Sequence, residues 1–211
     1  MRRSVRLTRW TSLGLALALV PMIAGCAEPR YRFVGSRDRD LVLRVPRDWA
    51  ALNTAAAVKA TGVEPSSNSV WTAFYDASPK PGVRHVQATS TDEPFLYAQS
   101  IRVGAEQRAT LTDAQLLELM LPATPEVREV AIKAKDFAVL STKKVSGRRQ
   151  HGYHVRYSFK LDAEKEFYDR IALTDPKRTT VYIVFVHCTE TCFRSHPEID
   201  DVVASLTLKP R

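Results

Sequence analysis

The sequence predicts an α+β fold, an antiparallel sheet with helices on its faces, and three observations carry that expectation. The run "TTVYIVFVHC" (Thr179 to Cys188) is apolar at successive positions, so it reads as a central strand covered on both sides. Three long β-rich runs precede it: "FAVLSTKKV", "HGYHVRYSFKL" and "FYDRIALTD". The turn-forming segments between them, "VSGRRQHG" and "DPKR", are short, and short connectors favour antiparallel hairpins. Two helix starts carry capping-box spacing, Thr112 with Gln115 and Ser195 with Glu198.

The chain begins with a targeting pattern. Arg2, Arg3, Arg6 and Arg9 form a basic head without acidic residues, and an apolar run from Leu13 to Ala24 follows. At roughly a dozen residues interrupted by Pro21, that run is short of the ~20 that a spanning helix needs. It leads into Ile23-Ala24-Gly25-Cys26: an aliphatic residue, two small residues and a cysteine. This resembles the lipobox of bacterial lipoproteins. The resemblance implies a signal peptide over residues 1–25 and a lipidated Cys26 as the first mature residue, carrying diacylglycerol and an amide-linked acyl group such as palmitate. The alternative is an ordinary signal or an uncleaved anchor. Ala27 stands where an Asp would retain a lipoprotein at the inner membrane, so the expected location is the outer membrane, with the domain facing the periplasm.

Composition is that of an ordinary globular chain, 45% hydrophobic and 26% charged. The net charge of +8 overstates the basicity of the domain. Without the four arginines of the head, 27 of the 31 basic residues remain against 23 acidic ones, a balance of +4. That weakens the case for a nucleic-acid partner. Residues 26–40 are polar and charge-rich and are expected to be the lipidated cysteine plus a flexible tether, although "YRFV" within them could also pair with a sheet edge. Residues 41–211 have the length of a single domain.

Within that domain, "LVLRVP" (Leu41 to Pro46) reads as a strand ending at proline, followed by Trp49. "ALNTAAAVKA" is an Ala-rich helix and "EPSSNS" a loop. "VWTAFYDAS", "VRHVQATS" and "FLYAQSIRV" read as strands. "TLTDAQLLELMLP" is a helix closed by Pro122. In "HGYHVRYSFK", Tyr153, Val155, Tyr157 and Phe159 share one face and Gly152, His154, Arg156, Ser158 and Lys160 the other, the pattern of a half-buried strand. Ile199, Val202, Val203 and Leu206 form one helical stripe, and "LTLKP" is a last short strand.

Taken in order, Val45-Pro46, Trp49, "LTDAQLLELM", "VSGRRQHGYHVRY", Tyr182, Glu190-x-x-Phe193 and "IDDVVASLTL" resemble the PsbP-like family, over about Leu41 to Lys209. The resemblance implies an α/β/α sandwich around an antiparallel sheet. Characterised members of that family mostly bind or assemble rather than catalyse, so it implies no enzymatic role. No functional residue carries over, and the paired cysteines depart from the general pattern.

Cys188 and Cys192 are expected to form a disulfide if the chain is exported, because an oxidising compartment joins nearby thiols. The alternative is a metal site of His187, Cys188, Cys192 and His196, which have suitable donor atoms. Against it, His187 and Cys188 are adjacent on a strand and point to opposite faces. A redox pair would ordinarily have Cys-x-x-Cys spacing, one residue shorter. Lys143, Lys144, Arg148, Arg149, His151, His154 and Arg156 surround one hairpin and offer a patch for anionic lipid, phosphate or an acidic envelope protein. A solvated hairpin tip is the plainer reading.

No Gly-x-Ser-x-Gly, phosphate-binding glycine loop or His-Glu-x-x-His occurs, and no cofactor is implied. The expected function is a membrane-anchored envelope lipoprotein that binds rather than catalyses, without nucleic acid. A periplasmic metal- or small-ligand-binding accessory protein is the second reading. An enzyme, such as a hydrolase, is the third, and needs an acid–base cluster assembled from distant positions.

Overall fold

Strand Thr180–Thr189 takes the middle of a seven-stranded sheet, as its uninterrupted apolar run requires. Its side chains alternate between two cores: Tyr182, Val184, Val186 and Cys188 enter one, while Val181 and Ile183 enter clusters on the opposite face. The computed structural model describes residues 30–35, 41–60, 68–86, 91–122, 125–161 and 164–209. Cys26 and the signal segment lie outside the described residues.

The strands are β1 (Tyr31–Val34), β2 (Leu41–Pro46), β3 (Ala50–Ala51), β4 (Ser69–Asp76), β5 (Phe95–Arg102), β6 (Phe137–Ser146), β7 (His151–Leu161), β8 (Glu164–Thr174), β9 (Thr180–Thr189) and β10 (Thr207–Leu208). The helices are α1 (Thr54–Ala60), α2 (Ala105–Thr110), α3 (Asp113–Glu118), α4 (Pro125–Lys133), α5 (Glu190–Ser195) and α6 (Glu198–Ala204). The large sheet has the order β3-β4-β5-β9-β8-β7-β6 and a small one the order β1-β2-β10, with every pair antiparallel.

One face of the large sheet packs against the small sheet and α6. Leu41, Leu43 and Val45 of β2 meet Ile199, Val202 and Val203 of α6, with Leu206 just beyond it, over Leu96, Ile171, Leu173 and Val184. The α6 stripe is fully buried, and each such side chain contributes about 1.5–3 kcal/mol by leaving water. The other face carries separate apolar clusters: Phe74 and Phe95 under Ala57 of α1, Val181 under Leu116 of α3, and Val155, Tyr157 and Phe137 near Met120. Helices on both faces of an antiparallel sheet make the expected α+β sandwich.

Several expectations need correction. The tether expected over residues 26–40 contains β1, which pairs with β2 from Tyr31↔Pro46 to Val34↔Leu43. The first half of the strand expected at "VRHVQATS" is instead a 3-10 turn over Val83–Val86, and residues 87–90 lie outside the described residues. Its cause is buried Asp76, whose Oδ1 accepts the Ser78 amide (2.9 Å) and whose Oδ2 accepts the Gly82 amide (2.9 Å) and faces His85 Nδ1 (2.7 Å). These bonds curl the segment instead of letting it extend.

The Thr112–Gln115 capping box is formed, with Gln115 N donating to Thr112 Oγ1 at 3.2 Å and Thr112 N to Gln115 Oε1 at 2.8 Å. The helix it starts is short and is preceded by α2. The Ser195–Glu198 box is not formed. Ser195 Oγ donates to the carbonyls of Thr191 (2.9 Å) and Cys192 (3.1 Å) at the end of α5, and Glu198 faces His196 Nδ1 at 2.8 Å. Helix α4 was not expected from the sequence.

Candidate functional site

Hairpin β6–β7 is the outer edge of the large sheet, with Lys143 opposite His154, Lys144 opposite Tyr153 and Ser146 opposite His151. Its turn closes with Gly147 N donating to Gln150 O at 2.9 Å. The strand period of two then sorts the predicted basic residues onto two faces.

His154 and Arg156 point toward α6, where a fully buried carboxylate meets them. His154 Nε2 faces Asp169 Oδ1 of β8, and Arg156 Nε and Nη2 donate to Asp169 Oδ2 at 2.8 and 2.7 Å. Arg156 also pairs with Asp200 of α6. So the polar face of β7 is only partly solvated: Ser158 and Gly152 are buried there, His154 and Arg156 are partly buried, and Lys160 is exposed. Lys144 points the other way and donates to Asp113 Oδ2 of α3 at 2.9 Å. That hydrogen bond holds the Asp113 carboxyl below the usual carboxylate range and raises the Lys144 ammonium above its ordinary value.

Three members of the predicted patch are exposed and take part in none of these ion pairs: Lys143, Arg148 and Arg149. The structure therefore splits the patch into a tip that faces solvent and three residues, Lys144, His154 and Arg156, that fasten the hairpin to α3, β8 and α6. His151 is half-buried.

Cys188 and Cys192 are joined, with Cα atoms 5.9 Å apart and S–S 2.03 Å. Thr189 caps α5 between them, its Oγ1 accepting the Cys192 amide at 3.4 Å. The bridge pins the corner where β9 leaves the sheet. It also consumes both sulfurs of the alternative metal quartet. His187, on the opposite face from Cys188, stacks on Tyr168 (5.4 Å between centroids) and faces buried Glu166 at 3.3 Å. His196 instead meets Glu93 (3.2 Å) and Glu198 (2.8 Å). Among the described residues, no group of three His, Cys, Asp or Glu is placed to hold a metal ion. Replacing both cysteines by serine is expected to lower stability by about 2 kcal/mol, the low end for a disulfide because the loop is short, as read by urea unfolding against the oxidised parent.

The sequence did not single out the centre of the face opposite α6. There Tyr97 of β5 packs on Phe185 of β9 at 5.0 Å, and Tyr168 stacks on Tyr157 at 4.8 Å. The Arg170 guanidinium lies 4.7 Å from the Phe185 ring centroid and 5.4 Å from those of Tyr157 and Tyr168, and donates to Met120 O at 3.1 Å. Burial pushes the Tyr97 and Tyr168 phenols up to about 12, so both stay neutral at physiological pH. The signal in the sequence was aromatic residues at period two in "FLYAQS" and "GYHVRYSF", which is also the pattern of plain core. Toward α2 and α3 this face opens into a cleft of about 620 Å³ lined by Ile101, Val103, Leu111, Leu119 and Val181.

The antiparallel sheet flanked by helices matches the PsbP-like fold. A particular structure makes the likeness concrete. Cyanobacterial PsbP (CyanoP) from Synechocystis sp. PCC 6803 superposes with a TM-score of 0.52 at 10% identity, covering 90% of this chain and 99% of that one. LpqN of Mycobacterium tuberculosis, described as involved in cell envelope biogenesis, gives 0.49 at 13% identity, covering 85% and 91%. The Saccharomyces cerevisiae Ran-binding protein Mog1p gives 0.47 at 8% identity, covering 84% and 95%. The fold assignment rests on the first. No family model matches the sequence, and no curated protein matches it.

Proposed function

We propose that the chain is a lipid-anchored protein of the bacterial cell envelope whose PsbP-like domain acts by binding rather than catalysis. The observation that carries this reading is the N-terminal order of basic head, short apolar run and Ile23-Ala24-Gly25-Cys26. The Cys188–Cys192 bridge supports it, because such bridges persist outside the cytoplasm. Among the described residues no helix is long and apolar enough to cross a membrane. Attachment in this reading is by the lipid on Cys26.

The position of β1 limits how far the domain stands from its anchor. Four residues separate Cys26 from Tyr31, and the five Cα–Cα steps reach at most roughly 17 Å in full extension. The domain would lie against the outer membrane on its periplasmic side, not on a long stalk.

The tip of hairpin β6–β7 is the proposed binding face, through Lys143, Arg148 and Arg149, toward an acidic envelope protein or another anionic envelope component. Cys26→Ser is expected to abolish incorporation of labelled palmitate and to move the protein out of the membrane fraction. Palmitate labelling that survives the substitution would refute the anchor. In the lipidated parent, Arg148→Glu with Arg149→Glu is expected to weaken association with envelope partners roughly tenfold or more. Unchanged association would remove the hairpin as the binding face.

A further inference from the structure

Strand β6 is the last of the large sheet, paired only with β7 among the described strands, and it is ten residues long. A strand at a sheet edge presents a row of backbone donors and acceptors to any chain that can lie beside it. Its course has two parts. A register shift between Val139 and Ser141 takes Leu140 out of the ladder, and from Ser141 to Ser146 the pairing with β7 is regular. Thr142, Lys143, Lys144 and Ser146 are all exposed along that regular part.

Apolar surface gathers at the same edge. Val139 and Leu140 are 48% and 49% exposed, and α4, which packs beside β6, exposes Val130 and Ile132 to 67% and 54%. These four make up most of the exposed large hydrophobic residues of the described chain. An edge that combines open backbone, apolar side chains and exposed cations specifies its occupant.

We infer that β6 is a strand-addition site for an extended acidic segment of another protein, which lies along Thr142–Ser146 as an eighth strand. This inference rests on the hairpin reading above and names its partner class. Backbone pairing would supply affinity. Apolar residues of the segment would cover Val139 and Leu140, and its carboxylates would meet Lys143 at the edge and Arg148 and Arg149 at the turn. The same lysines select against other strands. A second copy of β6 would bring Lys143 toward its own like charge, and a neutral strand would gain nothing from Lys143, Arg148 and Arg149.

The test uses the full lipidated chain in detergent micelles and a synthetic peptide of about eight residues, an ordinary strand length, alternating valine with aspartate and glutamate. Binding is read by fluorescence anisotropy, and its place by amide hydrogen exchange. The acidic peptide is expected to bind and to slow exchange within Thr142–Ser146. A lysine-containing counterpart is expected to bind at least roughly tenfold more weakly, and Lys143→Glu to reverse that order. The acidic peptide N-methylated at alternate amides keeps its charge but cannot pair, and is expected to lose binding.

Equal binding of the N-methylated peptide, protection outside β6, or β6-dependent self-association would overturn strand addition. So would a chain that binds phosphatidylglycerol vesicles through Lys143 but not the acidic peptide. The charge reversals at Arg148 and Arg149 separate the two levels. If they weaken envelope association while N-methylation changes nothing, the hairpin remains the binding face and strand addition falls. If they change nothing, the hairpin reading itself has failed.

Discussion

Asp169→Ala is expected to destabilise the protein by about 3 kcal/mol, because it strips the shared partner from two side chains at once. Asp169 is fully buried and accepts two hydrogen bonds from Arg156 while facing His154. Removing one member of a buried charged pair leaves the other desolvated without compensation, which ordinarily costs about 3–5 kcal/mol. The lower end applies here. Arg156 is about a third exposed and keeps Asp200, so it retains part of its solvation and one partner. The measurement is urea unfolding monitored by tryptophan fluorescence, paired with hydrogen exchange in β7 and α6. Faster exchange in both elements is expected, since the network ties strand to helix. A change below about 0.5 kcal/mol, the range of an ordinary surface substitution, would show that Asp169 does not hold the hairpin. Arg156 and His154 are for the same reason poor candidates for binding residues: their replacement should alter stability first.

Gly152→Ala is expected to cost on the order of 3 kcal/mol or more, through overpacking against backbone that cannot rotate away. A Cβ on Gly152 would stand 1.9 Å from the carbonyl oxygen of Ala172 and 2.9 Å from its carbonyl carbon. Gly152 is buried near the start of β7, where it pairs with Val145 and Leu173. Accommodating a methyl group therefore means separating β7 from β8 next to the turn of the basic hairpin. Thermal unfolding and soluble yield of the variant report the effect, and a parent-like midpoint would contradict the close approach. Gly147 in the hairpin turn provides the control. Its added Cβ would meet Gln150 at 3.7 Å, an ordinary contact, so Gly147→Ala should be far milder.

The elements that were legible before the fold share a physical property: their signal is local. The apolar run of β9, the alternation in β7, the α6 stripe and the Thr112–Gln115 box each describe a few residues whose own periodicity or side-chain bonding determines their conformation. Where the expectation failed, the deciding partner was remote or competed for the same atoms. Asp76 bends the Val83–Val86 segment from the end of β4. Ser195 spends its hydroxyl on the end of α5 and cannot cap α6. Tyr31–Val34 takes the sheet-edge alternative over the tether because β2 offers it an edge.

The candidate site divides along the same line. By itself the sequence determined that cations cluster on one hairpin, that two cysteines sit four apart at a strand end, and that an apolar run leads to a lipobox-like cysteine. All of these are facts of composition and spacing. Only the tertiary structure decided which cations stay available. Asp169 and Asp200 are distant from Arg156 in sequence, Asp113 from Lys144, and it is the stacking of β8, α6 and α3 around the hairpin that brings their carboxylates to hydrogen-bonding distance. Charge is a property of a residue, but its neutralisation is a property of the space around it, and strand pairing and helix packing create that space.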